Sequence, residues 1–103
     1  RYDVLVTPVA PTTAPLHDPR PFEERTIRLR DRDYAYMQQA FWCGLATAAC
    51  LPAAVVPIGR AADGLPVGLQ IIGPYLADRT VLAFAATMER LCGGFQAPPA
   101  LAG

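Results

Sequence analysis

The pattern of apolar and polar residues is clearest in the middle of the chain. Two short apolar runs, Ala53–Ile58 and Val67–Ile72, flank a polar segment and predict two β-strands. Side chains alternate across a strand. In the second run one face carries Val67, Leu69 and Ile71, and the other carries Gly68, Gln70 and Ile72. A strand that is apolar on nearly both faces is typical of a sheet buried between layers, which favours an α/β fold.

A tight turn is predicted between the two strands. The connecting segment contains Ala61, Ala62, Asp63 and Gly64. Gly takes a positive φ readily, and an Asp side chain can accept a hydrogen bond from its own nearby backbone. The two runs are therefore interpreted as strands joined by this turn.

The N-terminal part of the chain predicts one more strand, followed by an extended loop. Tyr2–Thr7 contains alternating apolar side chains, and Pro8 should end the strand because proline has no N–H to donate. Prolines recur through Pro8–Pro21 at a density that favours extended or turn geometry over sheet. At the other end, residues 95–103 are expected to form a loose tail.

Two helices are predicted from apolar positions spaced three and four residues apart. Asp33–Cys50 is apolar on almost every side, which predicts an interior helix with Asp33 as its N-cap. Arg79–Cys92 has one apolar stripe, with Asp78 as its expected N-cap. Gly93 follows this second helix and should end it.

A stretch of mixed charge separates the proline-rich loop from the first predicted helix. Ten charged residues of both signs lie between Asp18 and Asp33. Alternating side chains in Thr26–Arg32 are compatible with a short, half-exposed strand. The arginines here could form a clamp for an acidic substrate, or the stretch could be a solvated surface excursion. The second interpretation is favoured because the signs are mixed.

Composition places the 103 residues in one small domain at most. The chain is 52% hydrophobic and 17% charged, with a formal net charge of zero. That balance argues against electrostatic binding of nucleic acid or of an anionic membrane. The longest apolar run of helical character, Ala40–Leu51, is too short to span a bilayer.

The three cysteines, Cys43, Cys50 and Cys92, are an odd number without Cys-x-x-Cys spacing. They could supply a nucleophile or a metal ligand, but reduced, buried thiols are the favoured interpretation. Reduced thiols are usual in the cytosol, so a cytoplasmic location is expected.

Catalytic chemistry is conspicuously missing from the sequence, which contains no Ser and no Lys. His17 has no nearby partner and is interpreted as a loop residue. The hydroxyl groups that remain as possible nucleophiles are those of Thr7, Thr12, Thr13, Thr26, Thr47, Thr80 and Thr87. None has a base at local spacing. No catalytic residue, metal site or cofactor is therefore predicted in these residues.

Several motifs resemble the C-terminal part of the amidase signature family, the amidohydrolases with a Ser, cis-Ser and Lys triad. The matching segments are Leu5-Val6-Thr7-Pro8, Leu51-Pro52-Ala53, Val56-Pro57, the run GLPVGLQIIG at Gly64–Gly73, and a helix from Asp78 through Glu89. The order and spacing agree over most of the chain. Thr47 and Cys50 stand where the family pattern has Asn and Gly, and Cys takes a positive φ less readily than Gly.

The resemblance implies an α/β fold that is a C-terminal fragment of the amidase fold. A few strands of a mixed sheet would pack with two main helices, and residues 1–103 would be one partial domain. Family members hydrolyse carboxylic amides, and their triad precedes the region that this chain resembles. The implied partners are a small-molecule amide substrate and an N-terminal catalytic part, with no nucleic acid or membrane bound by this segment.

By resemblance, this segment would contribute a wall of the substrate channel rather than catalytic groups. The corresponding positions are Met37, Ala40, Phe41 and Gly44 on the first helix, then Tyr75 and Leu76 after the second strand of the pair. Gln70 could hydrogen-bond across the floor of the cleft, or it could be a buried structural amide.

Two functional hypotheses remain open at this point. The chain is either the C-terminal segment of an amidase or a self-standing, non-catalytic α/β module for binding or assembly. Because its strands resemble part of a larger sheet, exposed strand edges are expected to make the isolated chain self-associate.

Overall fold

A three-stranded antiparallel sheet forms the centre of the computed structural model, which describes residues 1–99. Its strands are β1 (Leu5–Pro8), β4 (Ala53–Arg60) and β5 (Pro66–Ile72), in the order β1-β5-β4. A separate two-stranded hairpin consists of β2 (Thr26–Leu29) and β3 (Arg32–Ala35). Helices α1 (Phe41–Ala48) and α2 (Asp78–Cys92) complete the fold, together with short 3-10 segments at Phe22–Glu24 and Tyr36–Ala40. The predicted α/β class with two main helices is confirmed.

The predicted turn between β4 and β5 is confirmed in detail. Gly64 has a φ of 81°, and the Leu65 N–H donates to Asp63 Oδ1 at 3.0 Å. The Arg60 guanidinium donates to the Gly64 carbonyl at 2.9 Å. These contacts fix the alignment of the hairpin, in which Val55 lies opposite Gln70.

Helix α2 covers one face of the sheet and makes the main core. Val56, Ile71, Val81 and Ala85 are buried together there. Gly73 lies where the sheet meets the helix, so close that an added Cβ would overlap Val81 Cγ2. The alternation predicted for β5 is confirmed, because Leu69 and Ile71 face this core.

Helix α1 lies on the opposite face of the sheet. Successive side chains of β5 point to opposite faces, and Gln70, next to Ile71, hydrogen-bonds to the backbone of α1. The expected burial of this helix is wrong, since only Ala46 of α1 is buried. In this chain few elements are available to cover an apolar helix.

The predicted helix Asp33–Cys50 begins too early. Asp33 lies in β3, opposite Arg28, and the Arg28 guanidinium donates to its carboxylate at 3.1 Å. Arg30 has a φ of 54°, which allows the chain to reverse between β2 and β3. The cross-strand pairing therefore overrides the helical spacing, and α1 starts only at Phe41, after a 3-10 segment.

The ends of α2 follow the prediction with one correction. Asp78 is the first helical residue rather than the N-cap, which is Ala77 and makes no side-chain cap bond. A carboxylate in the first turn still interacts favourably with the helix dipole. Gly93 adopts a φ of 89° and ends the helix as predicted.

All three cysteines are free, but the prediction that they are buried is wrong for two of them. Cys43 and Cys50 are exposed, and Cys92 is half-buried. Cys50 has a φ of 52°, so it adopts the left-handed conformation where the family pattern has Gly.

The chain termini differ slightly from expectation. Strand β1 starts at Leu5 rather than Tyr2 and includes Pro8. Residues 100–103 of the predicted tail lie outside the described residues. Within residues 1–99, no helix has the length and apolar content needed to cross a membrane.

Candidate functional site

An exposed apolar surface runs along the 3-10 segment Tyr36–Ala40 and the start of α1. Met37 is 63% exposed and Phe41 is 56% exposed. A 3-10 segment places residues three apart on one side, as an α-helix does for residues three and four apart. Met37, Ala40, Phe41 and Gly44 therefore share one side of this continuous helical stretch.

Gly44 leaves this surface open. A Cβ built at Gly44 would meet no other atom within 4 Å. The conformation of Gly44 is ordinary right-handed helix, so nothing in the backbone requires glycine here. The position is therefore free to accept either a larger side chain or a molecule that lies against the helix.

Tyr75 and Leu76 lie in the loop between β5 and α2 and are 68% and 77% exposed. Leu76 has a φ of 61°, an uncommon conformation for a residue other than glycine. Among residues 1–99, no hydrogen bond joins the Tyr75 side chain to α1. The structure thus places both residues on the surface.

Gln70 is the predicted site residue with the best-defined surroundings. It is 3% exposed. Its Nε2 donates to Thr7 Oγ1 on β1 and to the Trp42 carbonyl on α1, both at 2.9 Å. The Trp42 carbonyl can only accept, which fixes the orientation of the amide. Gln70 therefore bridges two strands and a helix, as a structural amide does.

Phe41 and Trp42 form an aromatic pair at the start of α1. Their ring centroids are 5.1 Å apart, with the rings nearly perpendicular. Edge-to-face packing of this kind favours the observed orientation of the two rings. The side chain of Phe41 is thus held from within α1, while the backbone of α1 is held by Gln70.

Sequence reasoning missed an apolar groove beside the sheet. The groove has a volume of about 590 Å³. It lies between residues 9–14 and the sheet residues Val55, Pro57 and Gly68, with Phe95 at its border. The prolines of this segment predicted an extended chain, but they did not predict a groove between that chain and the sheet.

The charged stretch contains two pairs of opposite charges among the described residues. Arg20 donates to both carboxylate oxygens of Asp18, with Nη2 to Oδ2 at 2.6 Å. The hydrogen bond from the Arg20 side chain, followed by the one from its backbone, lowers the pKa of Asp18 to about 2. Arg28 pairs with Asp33. These pairs favour the solvated surface over an arginine clamp.

One hydroxyl–carboxylate contact joins residues that are far apart in sequence. Thr13 Oγ1 donates to Asp63 Oδ2 at 2.9 Å. The contact is exposed, and Asp63 also accepts the Leu65 N–H in the β4–β5 turn. We interpret the contact between Thr13 and Asp63 as part of the β4–β5 turn.

In the part of the chain that the structure describes, no three or more His, Cys, Asp or Glu side chains are grouped to hold a metal.

Comparison with known proteins agrees with the motifs. The family model described as Amidase matches residues 1–82. A fatty acid amide hydrolase from Medicago truncatula is 37% identical over 95 residues, covering 90% of this chain and 15% of that protein. A glutamyl-tRNA(Gln) amidotransferase subunit from Wolinella succinogenes is 34% identical over 91 residues, covering 88% of this chain and 18% of that protein.

The chain belongs to the amidase family, as its motifs predicted. It spans less than a fifth of the length of these curated relatives.

Proposed function

We propose that this chain is the C-terminal segment of an amidase that hydrolyses linear carboxylic amides. The match of residues 1–82 to the amidase family carries this proposal. A relative named as a fatty acid amide hydrolase supports it, since that name describes the same class of reaction. The catalytic triad would come from an N-terminal part of the intact enzyme, because this sequence contains neither Ser nor Lys.

The segment would contribute the sheet core and one wall of the substrate pocket. Met37 and Phe41 would offer apolar surface to the acyl group of an amide, with Ala40 and Gly44 leaving room beside them. Their exposure supports this role, because large exposed apolar side chains on a folded surface often mark a binding or interface region. Tyr75 and Leu76 would border the same pocket only if the remaining part of the enzyme joins the two surfaces.

The direct test compares the 103-residue chain with a longer protein that includes it. Both are assayed against linear amides that differ in acyl length. We expect turnover by the longer protein alone. Turnover by the 103-residue chain that survives repurification, and that disappears when one of its Thr or Cys residues is replaced, would contradict the proposal.

The self-standing module is distinguished by the same preparation. A longer reading frame with Ser and Lys residues upstream of Arg1, and amide turnover by its product, supports the amidase segment. A protein that starts near Arg1 and turns over no amide would instead support a binding or assembly module.

A further inference from the structure

We propose that Gln70 is a positioning residue that holds the start of α1, and with it the apolar surface at Phe41, at a fixed place over the sheet. This inference rests on the proposed function where it concerns substrate, but the mechanical part stands on the structure of the chain itself.

Helix α1 has few apolar anchors. Only Ala46 of its eight residues is buried. A helix of this length has little stability of its own in water and depends on tertiary contacts. The contact between Gln70 Nε2 and the Trp42 carbonyl is therefore an important directional link between α1 and the sheet.

Gln70 is itself held rigidly. It lies in the middle strand of the sheet, with β1 on one side and β4 on the other. Its second N–H is bound by Thr7 Oγ1, and the Thr7 hydroxyl donates in turn to the Pro8 carbonyl at 3.1 Å. Because both N–H groups of the amide are hydrogen-bonded, the amide has one orientation. It therefore fixes the position of α1 relative to the sheet.

The surface that this link positions follows directly in the sequence. Trp42 is the neighbour of Phe41 and packs edge-to-face against it. Gly44 lies on the next turn of the same helix. A shift of the Trp42 carbonyl would move the side chain of Phe41 and the open space at Gly44 together. Gln70 would thus influence substrate selection without touching the substrate.

Hydrogen exchange in the intact protein tests the mechanical part. Gln70→Met removes both donors at similar volume, and we expect amide exchange in residues 41–48 to rise about 3- to 10-fold, the range for one lost hydrogen bond. Residues 81–92 of α2 should keep their protection. The matched variant Thr7→Val leaves the Trp42 contact in place and should affect residues 41–48 much less.

The double variant Thr7→Val/Gln70→Met separates positioning from stability. Replacing both hydrogen-bonding partners by apolar groups of similar shape can restore stability. We expect a partly recovered unfolding midpoint, because the Trp42 carbonyl still lacks its donor, and continued fast exchange in residues 41–48. Unchanged exchange there in a folded Gln70→Met protein, or full recovery of protection in the double variant, would overturn the inference.

Selectivity tests the functional part. The ratio of kcat/KM for long and short acyl amides should change by about 3- to 10-fold in Gln70→Met or in the double variant, and little in Thr7→Val. A constant ratio alongside fast exchange would overturn the influence on substrate. If the parent enzyme turns over no amide, the proposed function fails, whereas hydrogen exchange still decides whether Gln70 holds α1.

Discussion

Gly73 is the residue at which the sheet and α2 leave no room for a side chain. A Cβ there would overlap Val81 Cγ2, in the fully buried part of the core. The Gly73 N–H also donates to the Pro52 carbonyl at 2.9 Å, so the backbone cannot easily move away. Close packing between the sheet and α2 therefore requires a residue without a side chain at position 73.

We predict that Gly73→Ala destabilises the protein by about 1–3 kcal/mol, the usual cost of overpacking a core. Gly44→Ala is the matched control, because a Cβ at Gly44 has open space and Ala favours helix by about 0.5–1 kcal/mol over Gly. Urea unfolding with a constant m-value measures both changes. Equal midpoints for the two variants would show that the contact with Val81 relaxes without cost.

Asp18 supplies a prediction about pH. Its pKa is lowered from 3.8 to about 2, first by the hydrogen bond from the Arg20 side chain. Because the folded state lowers this pKa, the contribution to stability is present above pH 3.8 and is lost as the pH falls toward 2. The pair is exposed, so its contribution is small.

Replacing Arg20 should therefore raise the pKa of Asp18 toward its ordinary value. Arg20→Gln is the test, and Arg90→Gln on α2 is the control, since within residues 1–99 the Arg90 side chain bonds only to Thr87. Carbon-13 NMR of the side-chain carboxyl follows the titration of Asp18. A pKa that remains near 2 in Arg20→Gln would assign the shift to other groups.

At the scale of elements, the sequence predicts a strand or helix best where its apolar spacing matches the face that the fold buries. Strand β5 and helix α2 each bury the apolar side that their spacing indicated. The segment Asp33–Cys50 fails because helical spacing and cross-strand pairing compete there, and the ion pair of Asp33 with Arg28 belongs to a hairpin that local spacing does not reveal.

In the candidate site, too, contacts between neighbours in sequence could be predicted and contacts between distant residues could not. The helical stretch with Phe41 and Gly44 could be predicted because these residues are neighbours in sequence. The partners of Gln70 could not, because Thr7 lies 63 positions away and Trp42 lies 28 positions away. Only the three-dimensional arrangement of β1, β5 and α1 brings these groups together.

Helix α1 carries a prediction about substrate selection. In the amidase that we propose, Gly44→Phe should shift selectivity toward smaller acyl groups, because the ring would occupy the open space beside Phe41. A few methylene groups excluded from an apolar pocket correspond to about tenfold or more in kcat/KM. Gly44→Ala should keep the selectivity of the parent. Unchanged selectivity in a folded Gly44→Phe enzyme would place the acyl group elsewhere.

At the scale of the whole molecule, the described chain is flattened and less compact than a typical domain of its length. Its radius of gyration is 15.5 Å and its extents are 41 × 39 × 23 Å. A compact domain of about 100 residues has a radius of gyration of about 13 Å. Among residues 1–99, β1 and β4 are the edge strands of the sheet and pair on one side only. Val55 on β4 is 55% exposed.

We therefore expect the isolated chain to self-associate at micromolar concentration. Unpaired strand edges and exposed apolar side chains both favour this. Sedimentation equilibrium should give a mass above the 11.1 kDa of one chain. Val55→Lys, a charge on the edge strand, should weaken association more than Leu82→Lys on the exposed side of α2. A monomer with a cooperative melt would show that the chain closes its own core.

The position of Gln70 also determines how the strands can align while the chain folds. A slip of one residue would turn every side chain of β5 to the other face. Gln70 would then enter the apolar layer beneath α2, where an unpaired amide costs about 1–3 kcal/mol. A slip of two residues would keep the faces but move the amide roughly 7 Å along the strand, away from Thr7. The side chain of Gln70 thus makes the sheet less stable when β5 is shifted by either one or two residues.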